Sequence, residues 1–175
     1  MGVTLHHPHG QIYGYPFVTP TTKKLQEQIE LVGRDFFERL LASESNTQRV
    51  LIETEDFISF VPFAARWPIE IHILPKRHVR NLTELSESET KQFAEIYQKL
   101  LGSLDDLYDS PTPYIAAIHQ APKGDENIRL MVKITSPRRA AAKLKYLAGS
   151  ESAMGAFITD VSPESIAEML KGALD

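Results

Sequence analysis

Residues 49–79, RVLIETEDFISFVPFAARWPIEIHILPKRHV, decide the fold. Their apolar runs are rich in Ile, Val and Phe, residues that suit a pleated, half-buried surface. Glu55-Asp56 separates the first two runs at the place where a tight turn would reverse the chain. Trp67-Pro68 precedes the third run; proline lacks an amide donor, so this dipeptide marks a bend between strands, with the indole packed against it. His72 alternates with Ile71 and Ile73 and reads as a surface or hydrogen-bonded strand histidine. Three runs joined by reversals predict an antiparallel meander.

Outward from this core the period changes from two to three or four. SESETKQFAEIYQKLLGSLDDLY, residues 86–108, begins with Ser86 and Glu89 at capping-box spacing, and Phe93, Ile96, Tyr97, Leu100, Leu101, Leu104 and Leu107 form one stripe. On the other side, Leu25, Ile29, Val32, Phe36, Phe37, Leu40 and Leu41 predict one long amphipathic helix over 24–41, capped by Thr21 or Thr22. PYIAAIHQ and IRLMVKITS read as two further strands around the turn-like PKGDEN. A short last helix opens at Ser162-Pro163 and carries Ile166, Met169 and Leu170. The class is α+β: a mainly antiparallel sheet, two long helices and a short C-terminal one, in a single domain over residues 1–175.

Composition narrows the function. A net charge of -4 and a pI near 5.9 exclude the basic footprint of a general nucleic-acid binder. Any anion site must come from local clusters, and Lys76–Arg80 (KRHVR) and the pair Arg138-Arg139 are candidates, although charge runs are usually solvated faces. The chain has no cysteine, so it cannot build a thiolate zinc site by itself. It has no apolar run of membrane-spanning length and no apolar signal core at its start, which gives a cytoplasmic expectation with no membrane partner.

The most chemically loaded stretch lies at the start, in HHPHGQ, residues 6–11. If residues 5–12 are extended, His7, His9 and Gln11 share one face, with neighbours ~7 Å apart. That spacing suits separate tasks better than adjacent ligation of one metal. Pro8 removes a backbone donor and Gly10 a side chain, which would let a phosphate approach the backbone. A neutral imidazole is a competent nucleophile toward phosphorus. Composition alone equally allows a solvated tail that binds metals weakly.

HPHGQIYGYPFVTP, residues 7–20, resembles the active-site segment of the galactose-1-phosphate uridylyltransferase family, within the histidine-triad-like superfamily. The stretches at 52–79, HQAP at 119–122 and KLKYLAGSESAMGAF at 143–157 agree with that family in order. The likeness is to the family's C-terminal half, and the resemblance implies a separate N-terminal-half polypeptide and a homo- or hetero-oligomer. It implies that His9 attacks UDP-glucose to form a uridylyl-histidine, that galactose 1-phosphate then accepts the group, and that Gln11 donates to the phosphoryl oxygens. By the same likeness His7 is a zinc ligand, the remaining ligands coming from the missing half. Lys145 and Glu151 fall near the phosphosugar and the hexose hydroxyls; a solvated lysine and a surface carboxylate are the alternatives. For His78, in LPKRHV, a structural role is expected.

The chain also departs from the family. Relatives with a second metal site use a glutamate, a histidine matching His119, and two histidines in an L-H-x-H strand. This chain has Leu25 near the glutamate's place and LMVK, Leu130 to Lys133, in place of the strand motif. That second site is expected to be empty, and His119 to be a hydrogen-bonded core or rim residue. Two competing readings remain: an inactive remnant that serves as a binding or interaction module, and a histidine-triad-type nucleotide hydrolase.

Overall fold

Ile69, Ile71 and Ile73 alternate with Glu70, His72 and Leu74 along strand β3 (Ile69–Pro75), and both sets are withdrawn from water, with His72 the least covered. A strand covered on both faces belongs in the middle of a sheet. In the computed structural model, which describes residues 10–174, β3 is central in a five-stranded sheet. The other strands are β1 (Val50–Glu53), β2 (Phe57–Phe60), β4 (Ile115–His119) and β5 (Met131–Ser136), in the order β1-β2-β3-β5-β4. Every pairing is antiparallel, as the meander reading requires. The turn at Glu55-Asp56 is closed by the Thr54 amide donating to the Phe57 carbonyl at 2.9 Å. Between Val50 and Ile52 the register slips, and the buried Ser59 hydroxyl fills the gap by bonding the Ile52 amide and carbonyl at 3.0 and 3.1 Å.

One face of the sheet, Phe57, Ile69, Ile71, Ile73, Val132 and Ile134, packs on two helices, α3 (Glu87–Asp106) and α5 (Pro163–Gly172). Each isoleucine fully buried there contributes roughly 2 kcal/mol. The capping box of α3 forms as the spacing predicts: the Ser86 hydroxyl accepts the Glu89 amide at 3.2 Å, and the Glu89 carboxylate accepts the Ser86 amide at 2.7 Å. In α5, Ser162 is the cap and Ile166 and Leu170 are buried, but Met169 faces outward and is 42 % exposed.

The opposite face, with Ile58, Phe60, Leu74 and Met131, meets Ile29 and Phe37. These come from two helices, α1 (Pro20–Val32) and α2 (Phe36–Glu44), where the periodicity predicts one. Gly33 breaks the run: its φ of +118° ends α1, and the Phe36 amide turns back to the Gly33 carbonyl at 3.1 Å. The apolar stripe continues across the break because both helices face the same cluster. The cap also differs. Thr19 precedes Pro20, which opens the helix where its missing amide costs nothing, and the hydroxyls of Thr19 and Thr22 bond each other at 3.0 Å. Beyond β5 lie β6 (Arg138–Ala140), β7 (Lys143–Leu144) and a six-residue helix α4 (Gly149–Met154), a hairpin and a turn of helix not expected from the sequence. Among the described residues no helix is long and apolar enough to cross a membrane.

Candidate functional site

His7 and His9 lie outside the described residues, as does most of the expected strand at 5–12. Its described part, 10–12, pairs with no strand. Gln11 is exposed, and its side-chain carbonyl accepts the Tyr13 hydroxyl. From there to α1 the chain exposes alternate rings: Tyr13 and Tyr15 stack with centroids 6.1 Å apart, and Tyr15 and Phe17 tilt at 5.5 Å. Gln11 therefore stands clear of the fold at the head of an aromatic ribbon.

Lys145 and Glu151, expected near the sugar phosphate or else solvated, form a buried pair. The Lys145 ammonium lies 2.5 Å from the carboxylate, and their side chains are 10 % and 2 % exposed. The same carboxylate accepts the Ala148 amide at 2.8 Å and the Ile158 amide at 3.1 Å. The Lys145 ammonium and the two amides hold the Glu151 carboxyl down at about 2. Lys145 also donates to the Arg66 carbonyl at 3.1 Å, tying the 145–158 segment to the loop before β3. Trp67 packs there against Phe157, with ring centroids 6.5 Å apart, and the Arg66 guanidinium lies over the same Phe157 ring. The indole is thus packed, as the Trp67-Pro68 bend suggests.

A second group of side chains gathers on the sheet face beneath α1 and α2. In β3 and β5, His72 stands directly across from Lys133, and in β4, His119 stands across from Met131. Together with Leu25 from α1 they line a cleft of about 500 Å³. The four positions that the family likeness assigns to a second metal thus meet in one place, but as isobutyl, imidazole, thioether and ammonium groups. That set does not fit a divalent cation, since an ammonium repels it. Among the described residues no group of three or more His, Cys, Asp or Glu side chains could hold a metal ion.

The cleft floor is polar. His72 Nε2 lies 2.9 Å from Glu70 Oε1, and the Arg66 amide donates to the other carboxylate oxygen at 2.8 Å. Burial opposes ionisation of Glu70, yet these two donors hold its carboxyl below the ordinary value. Burial pushes the imidazoles of His72 and His119 and the ammonium of Lys133 down, and Lys133 adds its repulsion to both histidines. His72 is therefore the satisfied strand histidine of the expectation, a neutral ring donating from Nε2. His119 is half-buried at the cleft wall. Lys133 shares its strand face with the apolar Met131, two residues before it, and that is the one local signal that this face is covered; in the sequence the position reads only as a lost metal ligand.

The basic candidates are otherwise engaged. Lys76 pairs with Glu53 at 2.8 Å, Arg77 with Glu89, and Arg80 with Glu84 at 3.0 Å and with Glu126. Arg138 donates to Ser110 and to the Pro111 and Ala141 carbonyls, and Arg139 pairs with Asp160. These cations pin loops to one another. His78 is exposed, whereas its neighbour Val79 is buried and accepts the Leu130 amide at 2.7 Å, so the structural role in LPKRHV falls to Val79.

Residues 22–155 match the family described as galactose-1-phosphate uridyl transferase, C-terminal domain. The galactose-1-phosphate uridylyltransferase of Thermotoga maritima is 37% identical over 98% of this chain and 56% of its own length. A solved uridylyltransferase structure superposes with a TM-score of 0.89, at 37% identity, over 99% of this chain and 56% of that one. A zinc-bound histidine triad family protein from Mycobacterium smegmatis shares the fold, with a TM-score of 0.52 at 18% identity over 79% of this chain and 91% of that one. The chain spans about half the length of the curated relatives it matches. On the family match, the near-complete alignment and the shared antiparallel architecture, the chain belongs to the galactose-1-phosphate uridylyltransferase family and carries its C-terminal domain.

Proposed function

We propose that this chain is the nucleophile-bearing half of a UDP-glucose:hexose-1-phosphate uridylyltransferase, acting with an N-terminal-half polypeptide in the cytoplasm. The observation that carries the reading is HPHGQ at residues 7–11, set just ahead of the matched domain and in line with relatives of that activity along nearly the whole chain. An imidazole nitrogen of His9 attacks the α-phosphorus of UDP-glucose. A P–N bond forms, the P–O bond to the departing sugar phosphate breaks, and glucose 1-phosphate leaves with the electron pair. A phosphate oxygen of galactose 1-phosphate then attacks the same phosphorus, the P–N bond breaks, and UDP-galactose departs. Such double displacement gives ping-pong kinetics.

Gln11 supplies a neutral donor to the phosphoryl oxygens as charge builds on them. Its exposure in the isolated chain supports that role, because the side chain stays available to a substrate held between two halves. Lys145 and Glu151 act near the acceptor sugar phosphate. Their burial as a pair supports an indirect contribution, fixing the 145–158 segment beside the substrate. His7 contributes one zinc ligand, the others coming from the N-terminal half. The zinc would hold the histidine segment in place.

The reading is tested by mixing the purified chain with an N-terminal-half polypeptide and following uridylyl transfer from UDP-glucose to galactose 1-phosphate. Transfer is expected in the mixture and not in either part alone, with release of glucose 1-phosphate before acceptor is added. His9→Asn should abolish both while co-eluting with the partner on gel filtration. Transfer retained in that variant refutes the role of His9. Hydrolysis of the nucleotide sugar with no acceptor dependence would identify a hydrolase instead.

A further inference from the structure

The cleft under α1 and α2 has at its floor a cation with no direct partner among the described residues. Lys133 is half-buried, and among the described residues it has no hydrogen-bond or ion-pair partner; Glu70 attracts it at longer range. The one carboxylate beside it is already taken by His72 and the Arg66 amide. Arg66, the exposed second cation near it, also lines the cleft, stacked over Phe157 and, among the described residues, in no ion pair. Of the other charges lining the cavity, Glu44 pairs with Arg49 and Arg129 with Glu38, while Lys24 is exposed. A half-buried ammonium with no direct partner keeps its donors free for a ligand or for water. Around it the walls are apolar, with Leu25, Phe36, Phe60, Phe63 and Met131. At about 500 Å³ the cleft is of small-molecule size.

We propose that this cleft is a binding site for a small molecule that presents an oxyanion to Lys133 and Arg66 and an apolar or aromatic body to the walls. The neutral imidazole of His119 at the wall adds one further donor. The proposal goes beyond uridylyl transfer: it needs neither His9 nor the N-terminal half, so its failure and the failure of the proposed activity are separate results.

The test uses the full 175-residue chain and three probes, inorganic phosphate, phenyl phosphate and benzoate, titrated calorimetrically at low salt. At least one aromatic probe is expected to bind more tightly than inorganic phosphate, and the order of phenyl phosphate and benzoate tells whether the natural head group is a phosphate or a carboxylate. Binding should weaken at least about tenfold in Lys133→Met, the loss expected when a charge-assisted hydrogen bond is removed, and should persist in Lys133→Arg. Imidazole proton resonances of His72 and His119 should shift on titration, which locates the ligand. Lys133→Met replaces a half-buried cation by an apolar side chain of similar length, so its thermal midpoint should stay close to that of the parent, and weakened binding is then not a folding defect. Failure of both aromatic probes to bind the parent chain, or unchanged binding in Lys133→Met, overturns the proposal.

Discussion

At the scale of single residues the chain relies on carboxylates that serve as hubs. Glu151 joins the Lys145 ammonium to the amides of Ala148 and Ile158, so one side chain closes the α4 segment on itself and, through Lys145, on the Arg66 loop. Its folded pKa of about 2 lies below its ordinary 4.5. A depressed carboxyl contributes stability that is complete above the ordinary value and is lost as pH falls through the folded one. Glu151→Gln should therefore lower the thermal midpoint by several degrees near neutrality, while the two proteins converge between pH 4.5 and about 2. Thermal unfolding followed by circular dichroism across that range checks it; a parallel offset at every pH would mean that the carboxylate's charge is not what matters. The candidate site was legible in sequence only as far as chemistry is written in residue order. HPHGQ is a contiguous motif, so His7, His9 and Gln11 could be named directly. The meeting of His72, His119 and Lys133 depends on register between strands distant in the chain, which no local pattern encodes; the pairing of Lys145 with Glu151 depends on how the short segment between β7 and α4 folds back.

At the scale of elements, Gly33 decides whether one helix or two covers the sheet. Its φ of +118° with ψ of 162° is a conformation that only glycine adopts readily, and a Cβ there would meet the Asp35 carboxylate oxygen at 2.8 Å. The Asp35 side chain is exposed and can move, so the backbone carries most of the cost. Gly33→Ala should destabilise the fold by about 1–3 kcal/mol, measured by urea unfolding. No loss, together with a gain in helical signal, would mean that α1 and α2 fuse readily. The break was hidden from the sequence because the apolar spacing reports which face is covered, not whether the backbone is continuous. Where a boundary is set by local chemistry, the reading held: Ser86 with Glu89 starts α3, Ser162-Pro163 starts α5, and Glu55-Asp56 turns β1 into β2. The β6–β7 hairpin and α4 were missed because they are short and lack a sustained period; Arg138, anchored on Ser110 and the Pro111 carbonyl, holds that region down.

At the scale of the whole molecule, the two edges of the sheet differ. Beside β1, α5 packs and Lys171 donates to the Gln48 carbonyl at 2.8 Å, so that edge has a neighbour. The β4 edge presents Ile115 and Ile118, 50 % and 47 % exposed, beside Tyr114. An exposed apolar edge strand offers unpaired amides and carbonyls to any other strand and invites association. The rings of Tyr13, Tyr15 and Phe17 add a second exposed apolar stretch. The isolated chain should therefore associate with itself as concentration rises. A lysine on an edge strand discourages pairing without touching the core. Ile118→Lys should thus leave the thermal midpoint nearly unchanged while lowering the weight-average mass seen by sedimentation at high concentration. If the mass does not fall, β4 is not the edge through which copies meet, and the aromatic stretch at 13–17 becomes the surface to alter next.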